Sequence, residues 1–209
     1  GNNPNYQTSY MTEYIPSIST LGNAIDFGYL PVGRTTPSGC SSATRGLFMG
    51  GRSGPTYTND ISYVTIASKN NGQDFGNLTD TLAFSASCAS STRGFHFSAS
   101  NPSGKVNVIQ YVEIATIGDA ADFGDLTSAR GQGSAVASPT RGILGGGQDP
   151  ANVATIDAFT MSSKGNAHYF GELTSARKNG TGASNTTRGV FGGGEDAAII
   201  STIDYVTMT

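Results

Sequence analysis

The stretch "NTTRGVFGGG" at residues 185–194 decides the fold, because the chain repeats it. "SATRGLFMGG" stands at 42–51, "SPTRGILGGG" at 138–147, and a divergent copy, "SSTRGFHFSA", at 90–99. Taken singly, the glycine run suggests a phosphate cradle. Such a cradle needs the spacing G-x-x-x-x-G-K-[ST] or a strand–loop–helix setting, and the sequence offers neither. The glycines are better read as the end of a strand, where backbones crowd or turn with positive φ.

Two further markers keep the same period. Arg45, Arg93, Arg141 and Arg188 of the "TRG" copies are separated by 48, 48 and 47 residues, and so are Phe27, Phe75, Phe123 and Phe170 of "DFGYL", "DFGNL", "DFGDL" and "YFGEL". The third marker is "ISYVTI" at 61–66, "IQYVEI" at 109–114, "IDAFTM" at 156–161 and "IDYVTM" at 203–208, with a looser copy, "TEYIPSI", at 12–18. Each unit has two short runs around a turn, a variable loop, an alternating β-branched strand, and a last short segment through Phe to Leu. That pattern predicts four strands per unit and no helix.

Four-stranded units of roughly 48 residues, stacked so that neighbours bury each other's faces, predict an all-β propeller of four blades. The last unit ends after its third strand, and "NAIDFGYL" at 23–30 is a spare fourth strand. The expectation is that this N-terminal strand closes the last blade. Residues 1–11 are then an arm or linker, and 12–209 the propeller.

The order Arg after "LTSA", small-residue strand, strand ending in Gly-Gly, "IDYVTM", aromatic and Leu resembles the kelch repeat over residues 12–208. Phe27, Phe75, Phe123 and Phe170 stand where that repeat commonly has Trp, and Arg34, Arg130 and Arg177 match its Arg position, where the second unit has Leu82. The phrasing "GNA.DFG.LTSAR … TRGVFGGG … IDYVTM" is also similar to repeat segments of bacteriophage virion and tail-fibre proteins. That resemblance implies a non-enzymatic virion component in an exposed appendage, serving host-surface recognition or particle assembly. The implied location is the virion surface or the extracellular space. The implied partners are other virion proteins, a host-surface glycan or protein, and further copies of the chain. A secreted lectin or adhesin on the same fold is the alternative, and a glycan-cleaving enzyme comes last.

Composition sets limits on partners. Hydrophobic residues are 36% and charged residues 13% of the chain, the net charge is −3, and Trp is absent. The chain has no basic run for a nucleic-acid backbone. It has no apolar run long enough for a membrane-spanning helix. No cofactor or metal is expected. His96 and His168 are far apart in sequence, and Cys40 and Cys88 occupy equivalent strands of different units, where they read as small buried apolar residues. Asp122 and Asp125 are a weak acid pair, because the position of Asp125 reads Tyr29, Asn77 and Glu172 elsewhere.

Repeating residues read as scaffold: the four "TRG" arginines are expected to pair with Asp26, Asp74 and Asp122, while the fourth unit has Tyr169 there. The loops 52–60, 100–107, 148–155 and 195–202 do not agree with one another. Loops on a rigid scaffold carry function, so Tyr57, Lys105, Asp149, Glu195 and Asp196 are the candidate recognition residues.

Overall fold

The computed structural model describes residues 11–15 and 19–208; the expected arm lies almost wholly outside the described residues, as does the end of the "TEYIPSI" copy. The chain is all-β, with four antiparallel sheets arranged as a four-bladed propeller. Ahead of them comes a two-stranded hairpin, β1 (Met11–Tyr14) and β2 (Ile25–Tyr29). Blade 1 is β3 (Ser38–Ser41), β4 (Arg45–Met49), β7 (Asp60–Thr65) and β8 (Gln73–Asn77), with the short hairpin β5 (Arg52–Ser53) and β6 (Thr56–Tyr57) inserted after β4. Blade 2 is β9 (Ala86–Ala89), β10 (Arg93–Phe97), β13 (Val108–Glu113) and β14 (Ala121–Asp125), with inserted hairpin β11 (Ser100–Asn101) and β12 (Gly104–Lys105). Blade 3 is β15 (Ser134–Ala137), β16 (Arg141–Gly145), β17 (Thr155–Thr160) and β18 (His168–Glu172). Blade 4 has three strands, β19 (Thr181–Ser184), β20 (Arg188–Gly192) and β23 (Ile203–Thr207), with inserted hairpin β21 (Glu195–Asp196) and β22 (Ala198–Ile199).

The alternation read in the sequence becomes burial. One face of each blade presents Leu47, Ile61 and Phe75, or Phe95, Ile109 and Phe123, to the next blade, which answers with Val112 and Ile114, or Phe159 and Met161. A third cluster joins Ile143 and Ile156 to Phe191 and Met208. Apolar burial between sheets is the main favourable term holding such a stack together.

The "DFG" segment has its own geometry. Ile61 lies opposite Gly76 and Ser62 opposite Asp74, so Phe75 is the extra residue of a bulge; the same irregularity recurs at 109/110 and 156/157. The bulge turns Phe75 and Phe123 fully inward. Gly28, Gly76 and Gly124, the glycines of the three "DFG" copies, have positive φ, and a Cβ at Gly76 would lie 2.5 Å from Gly118 O in the next blade. Only glycine serves there.

The closure differs from the expectation. β2 pairs with β1, not with β23, and blade 4 keeps three strands. The reason is local: β1 carries the same third-strand pattern as β23 and reaches β2 through one short connection, so it takes the β2 edge first. The hairpin then stacks on blade 1 as blade 1 stacks on blade 2, with Tyr29 N bonded to Asn71 Oδ1 and Gly72 N to Tyr29 O, both at or near 3 Å (3.1 and 2.8 Å). It is the outer half of a preceding blade. The innermost strands pack in series, β3 on β9, β9 on β15 and β15 on β19; among the described residues no comparable packing joins β19 to β3.

Candidate recognition site at the loop end

The four non-repeating loops leave the propeller at one end, and their bases do repeat. Bridges join Thr35 to Arg52, Ala83 to Ser100, Gly131 to Gln148 and Lys178 to Glu195. Three of the bridges follow a Gly-Gly pair, where Gly50 and Gly51, Gly146 and Gly147, and Gly193 and Gly194 all have positive φ, as read from the sequence; in blade 2 the pair is Ser98-Ala99, and Ser98 also has positive φ. The scaffold therefore holds four different tips at four equivalent places.

Two neighbouring clefts lie among these tips. The first, about 430 Å³, is lined by Tyr57 from blade 1, Asn101 and Lys105 from blade 2, and Asp149 from blade 3, over a floor of Phe84 and Gln132. Tyr57 and Phe84 meet edge to face at 6.3 Å, and the Arg52 guanidinium lies over both rings at 5.4 and 5.9 Å. Lys105 Nζ donates to Ser100 Oγ at 3.1 Å. Burial pulls the Lys105 ammonium below its usual pKa; Asp149 opposes that shift and Lys178 adds to it. The second cleft, about 360 Å³, is lined by Gln148, Asn152, Lys178, Glu195 and Ala197. Lys178 pairs with Glu195 at 3.6 Å, Asn179 Nδ2 donates to Glu195 Oε1 at 3.0 Å, and Asn152 Nδ2 donates to Asp196 Oδ1 at 3.2 Å.

The structure thus gathers Tyr57, Lys105 and Asp149 in one cleft and places Glu195 at the other, with Asp196 bonded to a lining residue. Sequence reading missed Phe84, Gln132 and Lys178. Phe84 shares its repeat position with Thr36, Gln132 and Asn179, and all four have positive φ. An aromatic residue in that conformation is strained, and it is the one aromatic at an otherwise polar position. That break in the repeat was the available signal.

The scaffold arginines behave differently from expectation. Arg45 donates to Ile114 O at 2.7 Å and Arg93 to Met161 O at 3.1 Å, each on the next blade. Their guanidinium groups lie over Tyr63 and Tyr111, and Arg188 lies over Tyr205. The carboxylate that Arg93 meets is Glu113, at 2.7 Å. Asp26, Asp74 and Asp122 are exposed and make none of the ion pairs among the described residues. A bulge at Phe sends the preceding Asp outward, away from the "TRG" strand. Buried pairs form instead at the "TSAR" arginines: Arg130 with Asp157 at 2.9 Å, both fully buried, and Arg177 with Asp204 at 2.8 Å.

Among the described residues no three His, Cys, Asp or Glu side chains converge as metal ligands. Cys40 and Cys88 are free thiols; burial pushes Cys40 up to about 12 and Cys88 well above its ordinary value. No protein-family model matches the chain, and no curated protein matches it.

Proposed function

We propose that the chain is a non-enzymatic recognition module of an exposed particle appendage, and that the loop-end clefts take a hydroxyl-rich ligand such as a surface glycan. The carrying observation is the convergence of Tyr57, Lys105 and Asp149, from three different blades, in one cleft. An aromatic ring face, an ammonium, a carboxylate and side-chain amides suit a sugar, which offers C–H faces and paired hydroxyls. The kelch-like repeat supplies a rigid base, and the resemblance to phage virion repeats supplies the setting. The same cleft serves a secreted lectin equally well.

A glycan array followed by titration calorimetry tests the reading. The natural chain is expected to bind one glycan class, and Tyr57→Ala and Lys105→Ala to weaken binding at least tenfold while keeping the fold. Undiminished binding in both variants would remove the cleft from consideration. Release of reducing sugar during the assay would turn the reading toward an enzyme.

A further inference from the structure

Blade 4 carries, uncovered, the face that blades 1 to 3 bury. Ile61, Ile109 and Ile156 are 0, 0 and 2% exposed, whereas Ile203 at the same repeat position is 70% exposed. Tyr63 is 7% exposed and its counterpart Tyr205 66%. The arginine of this face is also left short. Arg45 and Arg93 lie over their tyrosines and reach a carbonyl of the next blade; Arg188 lies over Tyr205 at 4.9 Å, and its guanidinium has no acceptor among the described residues. Two independent features of one interface therefore stop at the same surface.

The complementary surface is at the other end of the chain. Ile15 follows Tyr14 as Val112 follows Tyr111 and Phe159 follows Ala158, and those residues are the ones that point back into the preceding blade. Ile15 is 57% exposed, and among the described residues no sheet covers that side of the β1–β2 hairpin. We propose that the β1–β2 hairpin of a second copy seats on blade 4, Ile15 against Ile203 and Tyr205, continuing the blade-to-blade interface between molecules. The surface is continuous in register with three interfaces already formed within the chain. The contact is head-to-tail, so it builds rings or filaments according to whether the rotation closes.

Engineered cysteines test the contact, since Ile15 and Ile203 are exposed, while of the native thiols Cys88 is buried and Cys40 partly buried in the packing between blades 1 and 2. Ile15→Cys chains mixed with Ile203→Cys chains under mild oxidation are expected to give a crosslinked heterodimer, and neither variant alone a crosslinked product. Light scattering is expected to show concentration-dependent oligomers that Tyr205→Asp abolishes without lowering the melting temperature. A chain monomeric even at millimolar concentration overturns the proposal. So does a crosslinked dimer of Ile203→Cys alone, which would mean a symmetric contact. So does an intrachain disulfide in dilute Ile15→Cys/Ile203→Cys, which would mean that the chain covers its own face.

Discussion

His96 is 1% exposed and stands opposite Gln110 on paired strands. Neither ring nitrogen, nor Gln110 Nε2, has a hydrogen-bond partner among the described residues. The other blades put Phe48, Leu144 and Phe191 at this position. Burial lowers the His96 pKa to about 3. The unfolded chain takes up the proton near pH 6.5 and the folded chain does not, so acid favours unfolding. Stability falls by up to about 1.4 kcal/mol per pH unit as pH drops from 6.5 towards 3. His96→Leu is therefore expected to stabilise by roughly 1–2 kcal/mol at neutral pH and by more at pH 5. Urea titrations at both pH values measure this; identical pH dependence in variant and natural chain would refute it. The Arg130–Asp157 pair gives a second residue-scale prediction. Asp157→Ala leaves a buried guanidinium unpaired and is expected to cost about 3–5 kcal/mol. Blade 2 shows the neutral solution, Leu82 with Gln110, whose Oε1 still accepts from Thr79. Arg130→Leu with Asp157→Gln is expected to recover most of that loss, read as a positive coupling in a double-mutant cycle.

At the scale of elements, one repeat position holds two different environments. Gly124 has positive φ and packs on Gly165 of the next blade, while Gly171 has no such φ and faces open space. Gly124→Ala is expected to destabilise by roughly 1–3 kcal/mol, and Gly171→Ala to change stability by about 0.5 kcal/mol at most. Thermal melts of the two variants measure the difference, and equal losses would refute it. Much of this was legible in the sequence. The period placed the strands, and the disagreement among loops picked Tyr57, Lys105 and Asp149 before any geometry was known. Two things were not legible. Period alone cannot choose between two third strands for β2, since β1 and β23 carry the same pattern, and chain proximity makes the choice. Nor does a repeated Arg and a repeated Asp in register reveal a bulge that turns the Asp to solvent; the "TRG" arginines consequently find carbonyls and tyrosine rings.

For the whole molecule, stability should follow the order of stacking. In a linear array each unit is stabilised by its own fold and by its neighbours, so a unit covered on one face opens more readily than one covered on both. Blades 2 and 3 are covered on both faces, whereas among the described residues blade 4 has three strands and no sheet on its Ile203 face. Amide hydrogen exchange is expected to be slowest in β9, β10, β15 and β16 and faster in β19, β20 and β23. Raising protein concentration should slow exchange in β23 and β1 together, because the proposed contact between copies buries both. Uniform protection at all concentrations would instead mean that the blades open as one cooperative unit, and the terminal faces would then make no separate contribution to stability.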